Sequence, residues 1–104
     1  MSYILVDILP FKDGKTMDDA LAYFEKVRPA MERNGLRRVD AALEAHKILR
    51  GTQGANMVNL FATDDPETSM KGMASDEEYQ SNIALRDSIF DLENASIILT
   101  TSTA

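Results

Sequence analysis

Residues 3–9 read YILVDIL and residues 57–63 read MVNLFAT, and these two stretches decide the fold. Both are rich in β-branched and aromatic residues, which favour strands. Because successive side chains of a strand point to opposite faces, each stretch has one wholly aliphatic face and one mixed face. The aliphatic faces are formed by Ile4, Val6 and Ile8 and by Val58, Leu60 and Ala62. We expect helices to pack on the aliphatic faces, and the mixed faces to line a cavity or an interface.

The rest of the chain predicts two helices and a closing strand. Thr16 is typical of a helix N-cap and precedes an apolar stripe with helical spacing. The pair DP at 65–66 predicts the start of a second helix, and SDEEYQ at 75–80 begins with a capping box that restarts it. Residues 95–101 are rich in Ile and Thr and predict the last strand. The predicted stripe of the first helix consists of Met17, Leu21, Phe24, Val27 and Met31, with Ala20 and Ala30 on the same stripe.

Residues 36–50 fit two interpretations. The stretch DAALEAHKILR at 40–50 has high helix propensity. Residues 38–46 also alternate between two faces, and the turn sequence GTQG at 51–54 leads directly into a clear strand, as in a hairpin. We expect a strand here, because a helix would leave a sheet of only three strands.

The 104 residues therefore predict one α+β domain over 1–104 with the element order βαββαβ. This split βαβ arrangement gives a four-stranded antiparallel sheet with both helices on one face. The other face would then be a large exposed apolar patch, which monomers avoid. We expect a homodimer in which a second copy covers this face. The apolar residues predicted on it are Tyr3, Leu5, Leu9, Met57 and Phe61.

Composition narrows the possible partners and cofactors. The net charge of −6 and pI near 4.6 argue against binding to nucleic acid or to anionic membranes. The chain has no cysteine and a single histidine, so we predict no metal site within one chain, and a site shared across a dimer stays open. It contains no phosphate-binding or dinucleotide motif. We predict no cofactor, and a bound flavin or haem stays open. The absence of cysteine, of a signal peptide and of a membrane-spanning stretch predicts a cytoplasmic protein.

The chain resembles the dimeric α/β barrel superfamily, in which two ferredoxin-like protomers pack sheet to sheet. The likeness lies in the element order and in SDEEYQ at 75–80 followed by Arg86, which is similar to small bacterial domains of unknown function. Relatives include cofactor-free monooxygenases of antibiotic biosynthesis, haem-degrading enzymes and isomerases. The resemblance implies a ferredoxin-like fold and dimerisation more than a particular chemistry. The oxygenase and haem-degrading relatives often use a tryptophan beside an asparagine, and this chain has no tryptophan.

Polar residues gather on the predicted mixed face of the sheet. His46 is the natural general acid or base, since its unperturbed pKa lies near neutrality, and Glu44 could orient it. Arg38 could pair with Asp7 or with Asp40. We predict His46, Asp7 and Arg38 as catalytic candidates, and as substrate-binding candidates Tyr3, Asp40, Asn59 and Phe61.

Two interpretations of this polar face remain open. Buried polar groups need partners, so the residues could form an ion-pair network that fixes the register of the dimer. They could equally line a cavity for a small molecule. The first function hypothesis is an oxygenase-like or isomerase-like enzyme that acts on a small, partly apolar molecule. The second is a non-catalytic dimerisation or ligand-binding domain.

Overall fold

The computed structural model describes residues 2–104 and confirms the α+β class and the predicted element order. A short 3-10 turn, Leu92–Asn94, precedes the last strand. No helix in the described part of the chain is long and apolar enough to cross a membrane. The elements are β1 (Tyr3–Leu9), α1 (Met17–Arg33), β2 (Arg37–Arg38), β3 (Leu43–Glu44), β4 (Met57–Thr63), α2 (Pro66–Ser75), α3 (Glu77–Gln80), α4 (Ile83–Ile89) and β5 (Ser96–Thr101).

The sheet is antiparallel, with the order β2-β4-β1-β5 and with β3 pairing the same edge of β4 as β2. It has five strands, whereas the sequence predicted four. The predicted strand over 36–50 is present only as β2 and β3. The side chain of Asp40 accepts a hydrogen bond from the amide of Ala41, in the bend that separates the two short strands. Residues 45–50 form no regular element.

The assignment of the two sheet faces is opposite to the prediction. The mixed face lies beneath the helices, where Leu5, Leu9, Met57 and Phe61 are at most 8% exposed. The aliphatic face carries no helix, and its members in β1 are only half-buried. Alternation separates two faces but does not say which one receives the helices. The bulky side chains go under the helices because they fill that space, and the polar ones among them are paired.

The buried face of α1 contains most of the predicted stripe, since Ala20, Val27, Ala30 and Met31 are at most 8% exposed. Leu21 is the exception, because it is exposed. Tyr23, which the prediction left out, is only 2% exposed and packs edge-on against Phe24 and Phe90, with ring centroids 5.2 and 5.6 Å apart. Thr16 caps the helix as predicted and forms a reciprocal capping box with Asp19. The buried face of α1 therefore includes a tyrosine with a polar tip.

Asp76 ties the end of α1 to the break between α2 and α3. Its carboxylate accepts two hydrogen bonds from Arg33 Nη2, at 2.8 and 2.9 Å, and one from Asn34 Nδ2 at 2.9 Å. It also caps α3 through the amide of Tyr79. These bonds lower the pKa of Asp76, the bond from the Tyr79 amide most strongly. The same residue therefore fixes the helix break and the position of Tyr79.

The packing of α2 against the end of α1 can be tested at Gly72, because this residue of α2 faces Asn34. A Cβ at this position would collide with Asn34 Oδ1 and lie 2.9 Å from its Cγ. Asn34 cannot easily move, since its amide is also bonded to the carbonyl of Ala30. We expect Gly72→Ala to lower the free energy of unfolding by about 1–3 kcal/mol, although alanine is the better helix former.

Chemical denaturation of Gly72→Ala beside Gly54→Ala checks this expectation. A Cβ at Gly54 would meet only the Pro10 side chain, at 3.9 Å, so this control should change stability by less than about 0.5 kcal/mol. Equal stability of the two variants would show that Asn34 is not held in place.

Candidate functional site

A cavity of about 350 Å³ lies between the buried face of the sheet and helices α1 to α4. Its wall is mostly apolar, and partly exposed side chains such as Met70, Leu92 and Ile97 lie at its edge. This size and lining are typical of a small-molecule site. The polar side chains in the wall are Asp7, Tyr23, Tyr79, Gln80 and Arg86.

Asp7 brings a carboxyl group into this apolar wall from the centre of β1. Directly across the β1–β4 ladder is Asn59, which is fully buried. Asn59 Nδ2 donates a hydrogen bond of 3.2 Å to Asp7 Oδ2. The other carboxyl oxygen, Oδ1, accepts no hydrogen bond from the described residues. Asp7 is thus held by one oxygen while the other is available to a ligand.

Arg38 of β2 continues the chain of polar contacts. Its Nη1 donates a 2.5 Å hydrogen bond to Asn59 Oδ1, so Asn59 connects Arg38 to Asp7. The guanidinium carbon lies 5.0 Å from the ring centroid of Phe61 and 5.4 Å from that of Phe24, within the range of cation–π attraction. Asn59 can bond both neighbours because its amide is both donor and acceptor.

The surroundings of Asp7 favour its neutral form. Burial raises its pKa from an ordinary value near 3.8 to about 6, although the bond from Asn59 and the charge of Arg38 both favour ionisation. A carboxyl group with this pKa can be ionised at neutral pH and still accept a proton, which suits a general base. Raised carboxyl pKa values in clefts mark candidate functional groups.

The structure brings together four of the seven predicted site residues: Asp7, Arg38, Asn59 and Phe61. The remaining three lie outside the wall of this cavity. Tyr3 starts β1, and Asp40 is exposed at a second pocket, of about 480 Å³, that Arg38 and Phe61 also line. His46 is exposed in the irregular segment after β3, so its catalytic role stays a prediction without support from the geometry.

Sequence reasoning missed the polar side chains that the helices contribute to the cavity. Tyr23, Tyr79 and Arg86 lie in its wall, and Arg86 Nη1 is 3.5 Å from the hydroxyl of Tyr79. Tyr23 falls at helical spacing with the buried Ala20 and Val27, and that pattern could have identified it. Nothing in the sequence indicated that the three side chains share a cavity.

Comparisons with known proteins locate the fold. The chain matches no family model and no curated protein. A protein of unknown function from Rhodopseudomonas palustris is 15% identical with a TM-score of 0.74, covering 99% of this chain and 83% of its own. An uncharacterised NIPSNAP domain protein from Burkholderia xenovorans is 14% identical with a TM-score of 0.72, covering 100% and 96%. SnoaB, a cofactor-independent oxygenase from Streptomyces nogalater, is 9% identical with a TM-score of 0.66, covering 99% and 94%.

The chain has a ferredoxin-like fold. Similar structures include a dimeric protein with a ferredoxin-like fold, a dabb family protein and a putative antibiotic biosynthesis monooxygenase, which confirms the ferredoxin-like fold that the resemblance implied. At these identities the likeness shows the fold alone.

Asp7→Asn removes a carboxyl group whose ionised form is disfavoured in the folded protein. The pKa of Asp7 is about 6 in the folded protein and near 3.8 in the unfolded chain. The unfolded chain therefore releases this proton first, and the wild type loses about 3 kcal/mol of stability between about pH 4 and pH 6. We expect Asp7→Asn to be more stable than the wild type by up to about 3 kcal/mol above about pH 7, with the difference smallest near about pH 4.

Urea denaturation across this pH range, at one protein concentration, measures the effect. Asp64→Asn is the matched control, because Asp64 is exposed in the turn after β4. If the stability of both variants follows the wild-type pH dependence, burial of the ionised Asp7 carboxylate does not lower the free energy of unfolding.

Proposed function

We propose that this protein is a small acid–base enzyme, oxygenase-like or isomerase-like, that acts without a cofactor on a small, partly apolar molecule. The observation that carries this proposal is Asp7, a carboxyl group with a pKa of about 6 in the wall of an apolar cavity of about 350 Å³. An ionised carboxylate in this position costs stability. Groups of this kind persist where function requires them.

The chemistry begins with removal of a proton from an acidic C–H or O–H group of the ligand. Asp7 accepts this proton on the oxygen that Asn59 leaves free, and the ligand becomes a carbanion, enolate or phenolate. Return of the proton to a different carbon completes an isomerisation. Capture of the carbanion by dioxygen begins an oxygenation. The two reaction classes thus need the same first step and the same base.

Asn59, Arg38 and Phe61 act as positioning residues in this proposal. Asn59 fixes the orientation of the Asp7 carboxyl and also connects it to a positive charge. Phe61 stacks with Arg38 and lines the cavity, so one side chain contacts both the charged group and the ligand space. Changes at Arg38 should therefore act through Asp7, since Arg38 lies outside the cavity wall.

The fold comparison supports this proposal without carrying it. SnoaB is described as a cofactor-independent oxygenase, so a protein of this fold can support oxygenation without a cofactor. At 9% identity nothing about its substrate or residues transfers. Other similar structures are of proteins with no known function.

A non-catalytic ligand-binding domain is the second candidate. The observation that favours it is the cavity wall, in which Leu, Met and Phe side chains predominate. Such a wall would bind an apolar molecule without any proton transfer. Asp7 would then serve only to select ligands that donate a hydrogen bond.

Proton exchange in D₂O distinguishes the two candidates. We expect the wild type to exchange an acidic C–H of at least one compound in a panel of aryl ketones and 1,3-diketones, with a rate that rises through about pH 6 as Asp7 ionises. Asp7→Asn should slow this exchange by about 100-fold or more, the usual contribution of a general base. NMR of the panel compounds measures the rates, with Asp64→Asn as the control.

Full exchange activity in Asp7→Asn would exclude Asp7 as the base. Saturable binding of panel compounds, with neither exchange nor dioxygen uptake in the wild type, would favour the ligand-binding candidate.

We further propose that two copies pack through the open face of the sheet. The register places aliphatic side chains of β1, β3, β4 and β5 on this face, together with Arg37 of β2, and Val39 and Leu43 at its edge are 52% and 51% exposed. A monomer would leave this apolar area in water. One similar structure, from Bacteroides fragilis, is described as dimeric. The aliphatic residues of this face are Ile4, Val6, Ile8, Val39, Leu43, Val58, Leu60 and Ile98.

Leu60→Lys places a charge in the middle of this face and should yield a monomer, because an unpaired lysine at a closed interface is costly. Leu21→Lys makes the same change on the exposed surface of α1 and should remain dimeric. Light scattering at micromolar concentration reports the mass of both variants. A wild-type monomer, or a dimeric Leu60→Lys variant, would show that the open face is not the interface.

A further inference from the structure

The hydroxyl of Tyr23 is buried in the cavity wall without a hydrogen-bond partner among the described residues. Its ring is fixed in the core, where it packs edge-on against Phe24 and Phe90. A buried hydroxyl without a partner lowers stability, and native proteins rarely retain one. Phenylalanine would fill the same space without this cost. The hydroxyl is therefore a donor that a ligand could use once it displaces the side chains that cover the oxygen.

Two further donors reach the same wall from other helices. Arg86 Nη1 approaches the hydroxyl oxygen of Tyr79 at 3.5 Å, and the Tyr79 hydroxyl in turn neighbours that of Tyr23. Arg86 also holds Asp87 through Nε and Nη2, which fixes the plane of the guanidinium. Burial, and then the neighbouring Tyr79, raise the pKa of Tyr23, so its hydroxyl keeps its proton at neutral pH.

We propose that Tyr23, Tyr79 and Arg86 bind a negatively charged oxygen of the ligand, such as an enolate or phenolate oxygen. This inference rests on the proposed function, because it assumes that the ligand occupies the cavity that Asp7 lines. Two hydroxyl donors and a guanidinium supply the hydrogen bonds and positive charge that such an oxygen needs. The ligand class is thereby narrowed to small apolar molecules with an acidic C–H or O–H next to an oxygen that can carry the charge.

This site would complete the chemistry of Asp7. When a carbanion forms beside a carbonyl group, its charge moves to the carbonyl oxygen. The proton goes to the Asp7 carboxylate, and the electron pair of the broken C–H bond forms the enolate. Donors fixed in place before the reaction stabilise that oxygen without having to reorganise.

Binding of 4-nitrophenol tests the site, because the phenol and phenolate absorb at different wavelengths. We expect the wild type to bind the phenolate in preference, so that the bound probe ionises at lower pH than the free probe. Tyr23→Phe should weaken phenolate binding by about 10- to 100-fold, as expected for the loss of a hydrogen bond to a charged group. Arg86→Gln should do the same, and Arg50→Gln, in the exposed segment after β3, should not.

Thermal unfolding of ligand-free Tyr23→Phe adds an independent readout. Removal of an unpaired hydroxyl should leave the melting temperature unchanged or raise it. A fall in melting temperature would mean that the hydroxyl has a structural partner and would overturn the proposal. Wild-type affinity for the phenolate in Tyr23→Phe would overturn it as well.

The anion site and the base can fail separately. Asp7→Asn should tighten phenolate binding, because it removes a negative charge from the same cavity. If Asp7→Asn retains proton exchange while Tyr23→Phe loses phenolate binding, the anion site stands and the assignment of the base is wrong. If Asp7→Asn loses exchange while Tyr23→Phe binds normally, the base stands and the anion site is wrong.

Discussion

The hydrogen-bonded chain from Arg38 through Asn59 to Asp7 is the constraint on which the rest of the structure depends. It crosses three neighbouring strands and satisfies polar side chains that the helices would otherwise bury without partners. With these groups paired, the mixed face of the sheet can lie beneath α1. The wholly aliphatic face is then left open on the other side of the sheet. One polar chain thus determines both where the cavity lies and which face is available to a second copy.

The cavity is built by elements of unequal rigidity. Its floor is the central strand pair, β1 and β4, which is fixed by a seven-residue register. Its walls are the helices, of which α3 is only a single turn held by Asp76. Asp7 lies on the floor, whereas Tyr79 and Arg86 lie on the helices, so the polar side chains of the cavity come from both layers. Most of the remaining lining, including Phe61 and Phe90, is apolar.

Much of the fold followed from local patterns. Alternation in residues 3–9 and 57–63 and the capping residues Thr16 and Asp65 predicted strands and helices that the structure contains. Local patterns failed where the outcome depended on contacts between distant residues. The choice of buried sheet face, the burial of Tyr23 and exposure of Leu21 on α1, and the splitting of the strand over 36–50 all belong to this class. Four site candidates came together because they share a sheet face, and His46 did not because its segment leaves the sheet.

The sequence by itself determined the α+β class, the order of elements, the break in the second helix and the presence of Asp7, Asn59 and Arg38 on one side of the sheet. These features depend on spacing along the chain, on which period-two and helical patterns and caps report directly. Only the tertiary structure decided that this side faces the helices and that Tyr23, Tyr79 and Arg86 share a cavity with Asp7. The packing of side chains from residues that are distant in sequence decides which surfaces meet. Local sequence patterns do not contain that information.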